Sequence, residues 1–69
     1  MNDPITQTRL SMRLDRYLSD YADKNVKKDN PCRKEWDAIA READIARINH
    51  NLTPEIIDDV RIALNKLQA

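Results

Sequence analysis

The complete absence of glycine is the feature that most narrows what this 69-residue chain can fold into. Glycine is the usual residue wherever the backbone needs a positive φ, as in the two-residue turns of β-hairpins. It also builds the loops that cradle phosphate and the sharp turns that present a catalytic nucleophile. No segment alternates apolar and polar residues long enough to indicate a half-buried strand. The chain is therefore predicted to be all-α.

Three prolines mark where the helices should begin. Each follows a residue that can cap a helix, in the pairs Asp3-Pro4, Asn30-Pro31 and Thr53-Pro54. Proline is favoured in the first helical position, where its missing N–H would have been unpaired anyway, and the preceding side chain can accept from the free amides of the first turn. The sequence thus predicts one domain, 1–69, with helices over 4–24, 31–48 and 54–67. Helices 2 and 3 should form an αα-hairpin.

Apolar residues recur three and four positions apart within each predicted helix, which is the period of a buried helical face. The predicted core is Leu10, Leu14, Tyr17, Leu18 and Tyr21 on helix 1; Cys32, Trp36, Ile39, Ala40, Ala43 and Ala46 on helix 2; and Ile56, Ile57, Val60, Ala63, Leu64 and Leu67 on helix 3. Asn25 should end helix 1, because asparagine tolerates the left-handed conformation that glycine would otherwise supply. Leu52 should tuck inward just before helix 3.

A core of this size is expected to supply only about 3–5 kcal/mol of stability. Small chains often add disulfides or a metal, but this chain has a single cysteine, Cys32, and a single histidine, His50. No internal disulfide and no Cys/His metal cluster can form from them. We therefore expect no cofactor, and a second subunit (a homodimer) or a partner protein as the source of further stability.

Catalysis is not expected. Cys32 lies beside Arg33 and Lys34 in the first turn of helix 2, a setting typical of reactive thiols, so a reactive thiol is conceivable. The favoured interpretation is a small buried hydrophobe, because Cys32 shares the face of Trp36. His50 is read as a surface residue, and a three-helix chain of this size has little room for a Cys–His pocket with an oxyanion hole.

Several apolar residues lie away from the predicted buried face of their helix: Ile5, Met12, Ala38, Ile45, Ile48 and Ile62. Single exposed apolar residues are ordinary, but such a set on so small a chain favours an interface. The candidate partner-binding residues are Arg9, Met12, Arg13 and Arg16 on helix 1, and Asp58, Asp59 and Ile62 on helix 3. Arginine and methionine are enriched at protein interfaces; the alternative for the helix 1 set is a solvated charged face.

Charge argues against direct nucleic-acid binding. Twelve basic residues balance twelve acidic ones, so no net positive charge favours counterion release. Helices 2 and 3 could imitate a helix-turn-helix, but the first turns of helix 3 carry Glu55, Asp58 and Asp59, which phosphates would repel. Residues 1–34 hold eight bases and five acids (+3), and residues 35–69 hold four and seven (−3). The basic helix 1 leaves open the alternative of a small DNA-binding or DNA-associated transcriptional regulator.

The favoured function is a small, non-catalytic protein-binding regulator. No segment is long and apolar enough to cross a membrane, and no signal peptide is evident, so the cytoplasm is the expected compartment. In size and build the chain resembles the small inhibitors that phages and plasmids encode against repressors or defence proteins. That resemblance implies an inhibitor or adaptor that docks a helix face on a larger protein, such as a DNA-binding repressor.

Overall fold

The computed structural model describes residues 3–67. In this structure two of the three proline pairs start helices, as the sequence predicts. Helix α1 spans Pro4–Asp23, α2 spans Arg33–Ile48 and α3 spans Pro54–Lys66. The Asp3 carboxylate accepts from the Thr6 N–H at 3.2 Å, and the Thr53 hydroxyl accepts from the Ile56 N–H at 3.2 Å. In both cases proline occupies the start of the helix, so the first-turn amides are capped as the sequence indicated.

The prediction that α2 begins at Pro31 is wrong by two residues. The Asn30 side chain accepts from the Cys32 N–H at 2.9 Å, and the Asn30 carbonyl accepts from the Arg33 N–H at 3.0 Å. These bonds close a turn, and Cys32 becomes the residue that precedes the helix. An asparagine side chain makes the same short-range bond in a turn as in a helix cap, so the pair Asn30-Pro31 marks either.

Helices α1 and α2 end at left-handed residues that stand in place of glycine. Asn25 has φ 52° just after α1, as predicted. His50 has φ 56° just after α2, which the sequence did not indicate. There the His50 N–H donates to the Arg47 carbonyl and the Asn51 N–H to the Ala46 carbonyl, at 3.1 and 2.7 Å. This is the Schellman arrangement, with histidine where glycine is usual. Helices α1 and α3 each end one residue before the predicted 24 and 67.

The all-α prediction is confirmed: among residues 3–67 the regular structure consists of three helices and no strand. Helices α2 and α3 pack closely across the short connection 49–53, and α3 also packs against α1. The buried apolar residues are Leu10, Leu14, Trp36, Ala43, Ala46, Leu52, Ile57, Val60, Ala63, Leu64 and Leu67, and the remaining predicted core residues are half-buried against them. The buried face of each helix is therefore the predicted one.

Trp36 anchors the core, as expected. Its side chain is 2% exposed, and its ring stacks on that of Tyr21 with the centroids 4.6 Å apart and the planes 17° from parallel. Stacked aromatic pairs contribute roughly 0.5–1.5 kcal/mol beyond their buried area. This contact fixes the end of α1 against the start of α2.

Gln7 is the buried polar residue among residues 3–67, and its burial was not predicted from the sequence. Its amide NH₂ donates to the Leu52 carbonyl and its amide oxygen accepts from the Leu52 N–H, both at 2.9 Å. Leu52 is buried, as predicted, and its main chain has left helix α2 without entering α3. The side chain of Gln7 thereby satisfies a buried peptide unit that no helix serves, and it ties α1 to the α2–α3 connection.

Candidate protein-binding surfaces

The outer side of α1 carries all four residues predicted for partner binding on that helix. Arg9, Met12, Arg13 and Arg16 are exposed, whereas Leu10 and Leu14 on the other side are buried. Met12 is 66% exposed, and Ile5, two turns earlier, is 65% exposed. We call Ile5, Arg9, Met12, Arg13 and Arg16 the α1 outer face. It sets two large apolar side chains among three arginines on a helix whose start is held by the Asp3 cap.

The three arginines of the α1 outer face have no acidic partner within the described part of the chain. The ion pairs among residues 3–67 are Arg47–Asp15, Arg47–Asp44, Arg61–Asp58 and Lys66–Glu35. Like charges four residues apart on a helix, as in Arg9 and Arg13, mildly destabilise it. An acidic group from outside would relieve that repulsion, so this face offers cationic donors to a partner.

Arg47, unlike the arginines of the α1 outer face, has acidic partners within the molecule. Its guanidinium bonds Asp15 on α1 and Asp44 on α2, so it links the two helices. Partial burial lowers the pKa of Arg47, but the hydrogen bonds and charges of Asp44 and Asp15 outweigh this and raise the pKa above its ordinary value. Asp15 and Asp44 both pair with Arg47, and neither forms an ion pair with an arginine of the α1 outer face.

The outer side of α3 carries the other predicted residues. Asp58, Asp59 and Ile62 are exposed, with Ile62 at 45%, and Glu55 is exposed in the first turn. We call these four residues the α3 outer face. The carboxylate of Asp58 lies 3.9 Å from Arg61, at the outer limit of an ion pair. The helix dipole favours Glu55 in the first turn, whereas Asp58 and Asp59 lie in the second turn, beyond most of its effect.

The fold does not bring these two surfaces together. Each lies on the side of its helix opposite the residues that pack in the core, so each points away from the bundle axis in its own direction. The predicted partner-binding residues therefore form two separate surfaces of opposite charge. A third exposed set lies on the back of α2, where Ala38, Ile45 and Ile48 were predicted to be outside and are.

A groove of about 310 Å³ runs beside Met12, between the first half of α1 and the end of α2. Its lining residues are Pro4, Gln7, Thr8, Ser11, Met12, Arg47 and His50. The polar groups of Gln7 and Arg47 are already bonded within the protein. The groove therefore adds a concave surface next to the α1 outer face.

Cys32 and His50, the two candidates for a catalytic pair, do not form a site. Cys32 is half-buried and packs against the core, consistent with the packing interpretation, while His50 is exposed after the far end of α2. They lie at opposite ends of one 16-residue helix, about 24 Å apart at 1.5 Å per residue. Within residues 3–67 no group of three or more His, Cys, Asp or Glu side chains could hold a metal ion.

The described residues contain no helix with the length and apolar character needed to cross a membrane. Comparison of the chain with protein-family models, with curated proteins and with solved structures finds no match.

Proposed function

We propose that this chain is a non-catalytic regulator that acts by docking the α1 outer face on a larger protein. The observation that carries the proposal is the pairing of Met12, 66% exposed, with three arginines that have no acidic partner among residues 3–67. Exposing apolar side chains costs hydrophobic free energy, and clustering like charges adds repulsion. A protein partner with an apolar centre and an acidic rim would remove both costs.

The residue types of the α1 outer face are also those that supply much of the binding energy in protein interfaces. Central apolar and arginine residues supply most of the affinity in many complexes, and the surrounding contacts exclude water. Met12 supplies an adaptable apolar side chain, and Arg9, Arg13 and Arg16 surround it with planar groups that bind carboxylates in a bidentate manner. The expected partner surface is apolar at its centre and acidic around it.

We place the chain, on its size and architecture, among inhibitors or adaptors of the kind that phages and plasmids encode, acting in the cytoplasm. A DNA-binding repressor or a defence protein is a fitting target, because the chain has an acidic surface as well. On such a target the α3 outer face, with Asp58 and Asp59, would occupy a basic DNA-binding surface and compete with DNA. Those contacts should weaken with salt, since exposed charges are screened over about 8 Å at physiological ionic strength.

The test begins with capture from extracts of the native cells on three immobilised proteins. These are the wild type, a variant with Met12→Ala and Arg13→Ala, and a variant with Ile62→Asp, which tests α3 as the competing docking surface. We expect the purified partner to bind the α1 variant at least about 10-fold more weakly, equivalent to about 1.4 kcal/mol, by titration calorimetry. Far-UV circular dichroism should show unchanged helicity. If Ile62→Asp abolishes binding and the α1 variant binds normally, α3 is the docking surface and the proposal for α1 is wrong.

A DNA-binding or DNA-associated regulator is the second candidate, because the unpaired Arg9, Arg13 and Arg16 could equally meet phosphates. A duplex DNA mobility shift at moderate salt separates the two functions. Binding to phosphates through three arginines predicts a fall in log K with log salt of slope about −3, at roughly −0.9 for each contact. Absence of a shift by micromolar protein at low salt would leave the protein-binding function alone.

A further inference from the structure

The chain itself carries a surface that complements the α1 outer face. The α3 outer face has the exposed Ile62 with Glu55, Asp58 and Asp59 around it, whereas the α1 outer face has the exposed Met12 with three arginines. One surface is apolar and basic, and the other is apolar and acidic. We infer that a second copy of this chain docks its α3 outer face on the α1 outer face of the first.

The spacing of the charges around each apolar residue supports this pairing. Arg9 precedes Met12 by three residues and Arg16 follows it by four. On α3, Asp59 precedes Ile62 by three residues and Asp58 by four. At 1.5 Å per residue these offsets are about 4.5 and 6 Å. With Ile62 against Met12, a parallel crossing sets Asp59 opposite Arg9, and an antiparallel crossing sets Asp58 opposite Arg16.

The cations of α3 do not cancel its acidic surface. Lys66 is bonded to Glu35 of α2 at 3.0 Å, and Arg61 lies 3.9 Å from one oxygen of Asp58. Among residues 3–67 no ion pair includes Glu55 or Asp59, so these carboxylates are available for contact. Charge complementarity of this kind fixes which surfaces meet and speeds their encounter.

The proposed contact is head-to-tail, because it joins two different surfaces of identical chains. Such contacts generate rings or open chains rather than closed two-fold dimers. The two faces point in different directions, so a pair of copies still presents one α1 outer face and one α3 outer face. The mass of the assembly should therefore rise beyond that of a dimer as concentration rises at low salt, and fall toward the 8.1 kDa monomer at high salt.

The test uses two full-length variants, each with one face disabled by neutral residues. The α1 variant is Met12→Ser, Arg13→Gln and Arg16→Gln, and the α3 variant is Asp58→Asn, Asp59→Asn and Ile62→Ser. Neutral replacements are chosen because charge reversal would create a new attractive pair in the mixture. All six positions are exposed, and circular dichroism and the emission of the buried Trp36 check that each variant folds.

Sedimentation velocity and sedimentation equilibrium at low salt measure the mass of each variant and of their mixture. We expect each variant alone to be a monomer and their equimolar mixture to form a 1:1 dimer that grows no further, because one intact α1 face meets one intact α3 face. A wild-type chain that stays monomeric at all concentrations would overturn the inference. So would either variant self-associating as the wild type does, or a mixture that remains monomeric.

This inference shares the α1 outer face with the proposed function but fails separately from it. A monomeric wild type whose partner binding is lost on changing Met12 and Arg13 refutes the self-association and supports the docking surface. Head-to-tail assembly, together with partner binding that is unaffected by changing Met12 and Arg13, supports the self-association and refutes the docking surface.

Discussion

The two hydrogen bonds between the Gln7 side chain and the Leu52 main chain provide the sharpest test of how this fold is held together. Both measure 2.9 Å, both are buried, and they join residues 45 positions apart. Replacing Gln7 by methionine keeps the length of the side chain and removes both bonds. The Leu52 N–H and C=O then lie buried without partners, at about 1–3 kcal/mol each.

The expected loss of stability from Gln7→Met is therefore about 2–6 kcal/mol. A chain of this length has a total stability of roughly 3–10 kcal/mol, at about 0.05–0.15 kcal/mol per residue. The substitution should remove at least about a fifth of it and lower the urea midpoint by about 0.7 M or more, with m near 1–3 kcal/mol/M. The emission of Trp36, which is 2% exposed, reports the transition. Arg9→Ala, exposed on the same helix, is the matched control and should change stability by less than about 0.5 kcal/mol.

Gln7→Glu separates hydrogen bonding from packing by making the same contact depend on pH. A protonated carboxyl can donate to the Leu52 carbonyl and accept from its N–H, whereas a carboxylate would oppose the carbonyl oxygen. Burial and this opposition raise the pKa of the introduced carboxyl in the folded state. The variant should therefore be nearly as stable as the wild type below the ordinary pKa of a glutamic acid. That stability should be lost as the pH rises through the raised folded value.

Two results would refute this reasoning about Gln7. One is a urea midpoint for Gln7→Met equal to that of the wild type. The other is a Gln7→Glu variant whose stability deficit is the same at about pH 4 as at about pH 8, on either side of the introduced group's titration.

Two further predictions concern single positions. His50→Gly should stabilise the protein by about 1 kcal/mol in the same urea titration, because glycine adopts the positive φ of this position without the steric cost of a Cβ. The control His50→Ala keeps the Cβ and should give no gain, so equal stability of the two variants would contradict the interpretation. Cys32→Ala should cost about 1 kcal/mol and leave partner binding intact. Binding lost at unchanged stability would instead give the thiol a functional role.

The sequence by itself determined the helices and the sides they bury. Missing glycine disfavours the usual two-residue turns of β-hairpins, and the three- and four-residue spacing of apolar side chains is a local property of each helix. For the same reason the exposure of Met12, Arg13, Asp58 and Ile62 could be predicted, since each lies opposite a buried stripe on its own helix. The start of α2 could not be fixed, because the side chain of Asn30 serves a turn as well as it would serve a cap.

Only the tertiary structure decided which distant residues meet. Gln7 reads as an ordinary polar residue of α1 until packing sets it against Leu52, and Arg47 reads as a solvated cation until α1 brings Asp15 beside it. The left-handed φ of His50 belongs instead to the local bonds that close α2, and it was not predicted because histidine is not the residue usual at that position. Helical periodicity tells which side of a helix is buried but says nothing of the direction in which each helix faces in the bundle. That direction separated the basic α1 outer face from the acidic α3 outer face and left both open to a partner.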